Sequence, residues 1–182
     1  MRILLHICCG VCAAGVVERL TLEGHQVHGL FYNPSIHPRH EYARRLEVAR
    51  KVAKELNFPL EVPPYTPEEW LKETIYLANE PEGGRRCEVC FRLRLKRAYL
   101  YMKDCGADAF TTTLTISPHK SAAVINRVGR EIGGERFLVI TSLTPLAPLR
   151  PFMCPFHCLL NLGNGIGVGR TLVQNHDDIG AK

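Results

Sequence analysis

The sequence lacks an apolar run long enough to cross a membrane, and its first residues lack the basic flank and cleavage site of a secretory signal. It also lacks internal repeats and low-complexity tracts. A chain of 182 residues has the length of one domain, or at most of two small ones. We therefore expect a cytoplasmic protein with one main core and no membrane partner.

The eight cysteines have no export signal to explain them as a disulfide framework. The cytosol keeps thiols reduced, so metal binding or redox chemistry is the favoured use for cysteines there. The formal net charge of +5 and the isoelectric point near 8.8 are compatible with a polyanionic partner such as RNA.

Charge is scarce at the C-terminus. Lysine, arginine, aspartate and glutamate number five in residues 141–182, against 36 in residues 1–140. Four prolines fall between Pro145 and Pro155, and hydrophobic periodicity largely ends there. We therefore predict a domain over residues 1–140, followed by an irregular C-terminal arm over residues 141–182.

Short apolar segments alternate with amphipathic helical patterns in the first 140 residues. Strands are predicted at residues 2–7, 26–32, 60–62, 109–113 and 136–140. Helices are predicted at residues 13–22, 40–56, 67–79, 87–105 and 117–132. This alternation predicts an α/β fold in which a parallel sheet is flanked by helices.

Two cysteine clusters lie where such a sheet binds ligands. Cys8 and Cys9 follow the first strand, and Cys87 and Cys90 lie three residues apart at a helix start. Ligands bind beyond the carboxyl ends of parallel strands, and helix N-termini favour thiolates, so the two pairs can meet there. The pattern favours a metal centre, with Cys12 on the first helical turn as an alternative ligand or as a residue that lines the pocket.

Spacing alone leaves the identity of the metal open. Four thiolates suit structural zinc as well as an iron cluster, although zinc modules usually take both ligand pairs from a shorter stretch. A thioredoxin-like site lacks its usual tryptophan, glycine and proline here, and the loop after the first strand lacks a phosphate-binding glycine pattern. Four arginines near the second pair would stabilise the negative charge of a thiolate-bound cluster: Arg85, Arg86, Arg92 and Arg94.

Other polar residues near strand ends are candidates for substrate contacts. They are His37, Tyr42, Thr112 and Lys120. His6 lies within the buried first strand, and we interpret it as a core histidine with its hydrogen bonds satisfied.

Four segments together resemble a known family, the cobalamin-independent epoxyqueuosine reductases called QueH. They are LLHICCGVC, FYNPSIHPRHEYARRLE, EPEGGRRCEVCFRLRL and DAFTTTLTISPHK. The resemblance covers about residues 1–140. It implies a Rossmann-like domain related to the adenine-nucleotide alpha-hydrolase folds, and a substrate that is a tRNA carrying epoxyqueuosine at the wobble position.

By this resemblance, Cys8, Cys9, Cys87 and Cys90 correspond to the ligands of a 4Fe-4S cluster, and the family also allows an additional iron ion beside it. The implied reaction removes the epoxide oxygen reductively to give queuosine, with electrons from a donor that the sequence does not identify. The alternative from another class is a non-catalytic RNA-binding domain with a structural zinc site of four cysteines.

The C-terminus departs from the family pattern. The family usually ends with a tyrosine followed by Cys-Gly-Cys, which is proposed to be a redox-active pair. The nearest equivalent here is Cys154 and Cys158 in the segment CPFHC. We interpret these two cysteines as a candidate redox pair.

Overall fold

The computed structural model describes residues 1–140, and its centre is a four-stranded sheet. The strands are β1 (Arg2–His6), β2 (Gln26–Leu30), β3 (Leu60–Glu61) and β4 (Ala109–Thr112). Their order across the sheet is β3-β2-β1-β4, and every neighbouring pair is parallel. The predicted α/β, Rossmann-like architecture is confirmed, with all four strands ending at the same edge of the sheet.

Five helices connect and cover the strands in this part of the chain. They are α1 (Gly10–Leu22), α2 (Arg39–Glu55), α3 (Pro67–Thr74), α4 (Arg85–Asp104) and α5 (Ala122–Gly133). Short 3-10 segments follow α3, β4 and α5 at Ile75–Leu77, Thr113–Ile116 and Gly134–Arg136. Within residues 1–140, no helix combines the length and the apolar character that a membrane span requires.

Side-chain alternation along β1 separates the apolar interior into two clusters. Ile3 and Leu5 pack with residues of α1 and α2, whereas Leu4 packs with residues of α4 and α5. Successive residues of a strand point to opposite faces, and Cys8 continues the even-numbered set. The strand therefore directs Cys8 to the face covered by α4, the helix that carries the second cysteine pair.

The predicted fifth strand at residues 136–140 is wrong in extent. Only Phe137 forms a bridge, to Phe110 on β4, and the Leu138 amide donates to the Phe110 carbonyl at 2.9 Å. Arg136 belongs to a 3-10 turn, and the Leu138 carbonyl accepts the Thr111 hydroxyl at 2.7 Å. The 3-10 turn leaves fewer residues free to pair with β4. The Thr111 hydroxyl also occupies the Leu138 carbonyl, at a position where a longer strand would continue its backbone hydrogen bonds.

The predicted start of the last helix at residue 117 is also wrong. The helix begins at Ala122, and the Ser121 hydroxyl caps it by accepting the Val124 amide at 3.4 Å. Ser117 instead starts a turn that the Lys120 amide closes on its carbonyl at 3.2 Å. Both serines have the chemistry of an N-cap, so local sequence did not distinguish them.

Candidate metal centre

The first cysteine pair lies on the short connection between β1 and α1. Cys9 occupies the N-cap position of α1 with an extended backbone, at φ −156° and ψ 154°. Cys8 is buried, with 8% of its surface exposed, and Cys9 is half-buried. The apolar strand fixes where the chain leaves the sheet, and the extended cap residue then turns it into the helix.

Thr113 holds Cys8 from the neighbouring strand. Its hydroxyl accepts the Cys8 amide at 3.0 Å and donates to the Cys8 sulfur at 3.3 Å. Thr113 follows β4 directly and is fully buried. Because β1 and β4 are adjacent and parallel, this contact joins the carboxyl ends of these two strands.

Cys8, Cys9 and Cys12 form a hydrogen-bonded set of thiols. Hydrogen bonds from Cys12 first, and then from Cys9, lower the pKa of the Cys8 thiol well below its ordinary value. The same bond to Cys8, followed by the bond to Cys9 and by burial, raises the pKa of Cys12. Cys8 is therefore the acceptor of this set, and Cys12 lies beside the first pair as predicted.

The second cysteine pair occupies the first two turns of α4, as the sequence predicted. Cys87 is half-buried, and its sulfur accepts the backbone amide of Gly83 at 3.3 Å. The N-cap residue of α4, Gly84, has no side chain to satisfy the first amides. The Cys87 sulfur thus bonds an amide just before a helix N-terminus, where the helix dipole favours negative charge.

Cys90, one turn further along α4, contacts a buried arginine. Arg94 donates from Nη2 to the Cys90 sulfur at 2.9 Å and from Nε to the Cys90 carbonyl at 3.1 Å. Only 9% of Cys90 and 6% of Arg94 are exposed. The two hydrogen bonds to Cys90 therefore hold the Arg94 guanidinium beside the Cys90 sulfur.

Three of the four cysteines of the two pairs lie against one apolar cluster. Helix α4 packs against β1, and Cys8, Cys9 and Cys87 all contact the apolar cluster between the sheet and α4. The pKa of His6 is lowered to about 4, by burial first and then by the charge of Arg94, while Cys8 opposes this shift. The imidazole of His6 therefore interacts electrostatically with Cys8 and with Arg94, the arginine that bonds Cys90.

The donor chemistry of this region fits a thiolate-bound metal group. All six cysteines within residues 1–140 are free thiols, and four of them form the two pairs: Cys8, Cys9, Cys87 and Cys90. In the same residues, no three side chains of cysteine, histidine, aspartate or glutamate are arranged to bind a single ion. The fold thus brings the pairs to one region as two separate sets of sulfurs.

His37 and Tyr42 lie in an aromatic cluster at the start of α2. The Tyr65 hydroxyl lies 3.2 Å from His37 Nδ1, and the ring centroids of Tyr42 and Tyr65 are 4.2 Å apart. Trp70 completes the cluster, with its ring centroid 5.3 Å from that of His37. Burial lowers the pKa of His37 and raises that of Tyr42. Their contact with substrate stays a prediction.

Thr112 and Lys120 have structural partners. The Thr112 hydroxyl lies 2.9 Å from His6 Nδ1 and accepts the Leu114 amide at 3.1 Å, and the residue is fully buried. Lys120 donates to the Ser117 hydroxyl at 3.3 Å. Substrate contact by either residue stays a prediction.

His6 is a core histidine, as predicted. Its Nδ1 pairs with the Thr112 hydroxyl, and its Nε2 lies 3.0 Å from the Tyr32 carbonyl. Because a carbonyl only accepts, Nε2 carries the proton and Nδ1 accepts from the hydroxyl. Both ring nitrogens are satisfied inside the sheet.

Sequence reasoning missed the individual roles of Thr113 and Asn33 and did not separate Arg94 from its neighbours. Asn33 is 1% exposed, and its amide donates to the Ile7 carbonyl at 2.9 Å, just before Cys8. The available signals were a threonine and an asparagine directly after buried strands. The candidate pair Cys154 and Cys158, and the predicted C-terminal arm, lie outside the described residues.

Comparisons with known proteins show which family this chain resembles. A family model described as epoxyqueuosine reductase QueH matches residues 3–141. Proteins named epoxyqueuosine reductase QueH from Streptococcus pyogenes serotype M1 and Acinetobacter baylyi are 39% and 38% identical over 137 and 128 residues. These alignments cover 71% and 70% of this chain but 53% and 59% of the two relatives. The Staphylococcus epidermidis protein of that name is 34% identical over 139 residues, which cover 72% of this chain and 58% of the relative.

Proposed function

The chain belongs to the epoxyqueuosine reductase QueH family, and from this we propose that it converts epoxyqueuosine to queuosine at the wobble position of tRNA. The chain spans a little over half the length of the curated relatives it matches. The proposed reaction is the reductive removal of one epoxide oxygen, which makes the protein an oxidoreductase of tRNA modification.

The observation that supports this proposal is that Cys8, Cys9 and Cys87 lie against one apolar cluster between the sheet and α4. Cys8 and Cys9 leave β1 on the connection to α1, and Cys87 and Cys90 begin the helix that packs against β1. We propose that these four thiols would hold a 4Fe-4S cluster. Four cysteine thiolates are the usual ligand set for such a cluster.

The neighbouring groups suit sulfurs that carry negative charge. The Thr113 hydroxyl, the Gly83 amide and the Arg94 guanidinium each donate to a different cysteine sulfur. Hydrogen bonds to anionic acceptors are stronger than those between neutral groups. When bound, the cluster would relay electrons one at a time for the reduction, and the family resemblance allows an additional iron beside it.

The proposed reaction balances with two electrons and two protons. Both carbon–oxygen bonds of the epoxide break, a carbon–carbon double bond forms, and the oxygen leaves as water. We propose that Cys154 and Cys158 supply the electrons and protons as two thiols that become one disulfide. An external electron donor of unidentified nature would then reduce the disulfide for the next turnover.

Uncompensated basic side chains on α2 suit a tRNA backbone. Within residues 1–140, the ion pairs of α2 join Arg44 and Arg45 to Glu41, and Lys51 to Glu47, whereas Arg50 has no carboxylate partner. Arg50 is exposed and acts electrostatically on Tyr42 in the aromatic cluster. We propose phosphate contacts on this helix and a cytoplasmic location, where tRNA is found and thiols stay reduced.

The deciding experiment measures iron, zinc and acid-labile sulfide on anaerobically purified protein. We expect about four irons and four sulfides per chain. The double variant Cys87→Ser and Cys90→Ser should lose both, and should not act on tRNA carrying epoxyqueuosine. Cys105→Ser is the matched control, because Cys105 is the C-cap of the same helix and is also a free thiol.

Each component of the result decides a different part of the proposal. Zinc without sulfide would overturn the iron–sulfur assignment and support a structural zinc site of four cysteines. A full cluster without turnover on the modified tRNA would overturn the proposed reaction. Unchanged turnover in the double variant Cys154→Ser and Cys158→Ser would overturn the proposed redox pair.

A further inference from the structure

Arg94 differs from the other arginines of α4 in its surroundings. The residue is 6% exposed, and its described hydrogen bonds go to the sulfur and the carbonyl of Cys90. Arg92 lies two residues earlier, is 43% exposed, and pairs with Glu88 and Glu131. One arginine is therefore buried against a sulfur, whereas the other forms ion pairs in contact with solvent.

No carboxylate within residues 1–140 forms an ion pair with Arg94. Its guanidinium carbon lies 5.8 Å from the centroid of the Phe91 ring, a contact that offsets only part of the cost of burying a charge. A buried charge is costly unless an opposite charge accompanies it. The buried charge of Arg94 therefore favours a negative charge at the cysteine sulfurs.

We propose that Arg94 is the positioning residue that balances the negative charge of the metal-bound thiolates through Cys90. This inference rests on the proposed iron–sulfur function. The guanidinium presents several donors in one plane, so Arg94 bonds the sulfur and the carbonyl of Cys90 together and fixes the ligand as well as its charge.

Two consequences follow for a bound cluster. A cation next to a ligand sulfur stabilises the reduced form of a cluster more than the oxidised form, because the reduced form carries one more negative charge. Arg94 therefore raises the reduction potential. It also slows the loss of iron, because the sulfur that it holds stays in position to bind metal.

The test compares three variants under anaerobic conditions: Arg94→Gln, Arg94→Lys and the control Arg92→Gln. Each is examined for folding by circular dichroism, for iron and sulfide content, for the midpoint potential by redox titration, and for the rate of iron loss to a chelator. Arg94→Gln should have a more negative potential and lose iron about 10- to 100-fold faster. Arg92→Gln should match the wild type, since its charge lies in solvent and its loss is screened.

The lysine variant keeps the proposal falsifiable if the glutamine variant does not fold. Lysine retains the charge but lacks the planar fork, so its potential and iron-loss rate should lie between those of wild type and Arg94→Gln. A folded Arg94→Gln protein with wild-type potential and iron-loss rate would overturn the proposal. If only Arg94→Lys folds, wild-type values of both quantities in that variant would overturn it.

The same preparation separates this inference from the function on which it rests. If the wild-type protein contains no iron or sulfide, both the proposed cluster and the role of Arg94 are refuted. If the wild-type protein contains a full cluster but the Arg94 variants keep its potential and its rate of iron loss, only the role of Arg94 is refuted. The proposed function is then unaffected.

Discussion

The two cysteine pairs differ in the groups that hold their sulfurs. Around Cys8 the hydrogen-bond donors are neutral: the Thr113 hydroxyl and the thiols of Cys9 and Cys12. Around the second pair they are a backbone amide before a helix N-terminus, at Cys87, and a buried guanidinium, at Cys90. The first pair is thus fixed by close packing between strands, and the second by charge and by the helix dipole.

This difference assigns separate tasks to the two halves of the site. Short-range bonds from neutral groups need accurate placement of the surrounding backbone, whereas a cation and a helix terminus act over longer distances. Changes in packing should therefore damage the first pair most, and changes in charge should damage the second. Substitutions that leave all four proposed ligands in place can separate these effects.

The largest expected effect comes from removing a proposed ligand of the first pair. Cys8→Ser should abolish the iron and sulfide content, because Cys8 is a proposed ligand that is buried and held in place by Thr113. Cys12→Ser should retain the cluster, because Cys12 is proposed as a neighbour and not as a ligand. Metal analysis and absorbance spectra of both proteins check this, and loss of iron in Cys12→Ser would move Cys12 into the ligand set.

The next effect concerns one glycine beside each pair, Gly10 after the first and Gly84 before the second. A Cβ at Gly10 would lie 2.8 Å from the backbone of Val48 on α2, so Gly10→Ala should cost about 1–3 kcal/mol of unfolding free energy. The matched variant is Gly84→Ala before the second pair, where the nearest atom, at 2.8 Å, is the flexible end of Glu80. Denaturant unfolding should show a larger loss of unfolding free energy for Gly10→Ala than for Gly84→Ala. Equal losses would contradict the proposal that packing matters more at the first cysteine pair.

A third prediction removes the neutral donor to Cys8. Thr113→Val leaves the buried Cys8 amide without its acceptor and the sulfur without its donor, which should cost about 1–3 kcal/mol. Thr113→Ser keeps the hydroxyl and should recover most of that loss. Unfolding free energies of the two variants check this. Equal destabilisation of both would contradict a dominant role of the hydroxyl, because only the valine variant lacks it.

The smallest effect should come from the exposed ion pairs that join α4 to α5. Glu131 pairs with Arg92 and Arg127, and both arginines also pair with Glu88, next to Cys87. Glu131→Gln should lower the melting temperature slightly at low salt and leave it unchanged at high salt, because exposed pairs are screened. Glu135→Gln is the control, and a large loss that persists in salt would show that these pairs position the second cysteine pair.

Local pattern was sufficient for much of the fold. The alternation of strands and helices predicted the parallel sheet, and the helical spacing after Gly84 predicted that the second pair begins a helix. Local pattern did not predict the start of α5 correctly, because Ser117 and Ser121 are both suitable N-cap residues. It also failed at residues 136–140, where the extent of pairing depends on β4 and not on the segment itself.

The sequence by itself determined the chemistry available to this protein: two cysteine pairs, their positions after a strand and at a helix start, and arginines near the second pair. Only the tertiary structure decided which of those arginines is buried against Cys90 and that Thr113, 105 residues away in the chain, holds Cys8. Residue spacing encodes contacts within one element, because the geometry of a helix or strand is fixed. Contacts between elements depend on how the whole core packs.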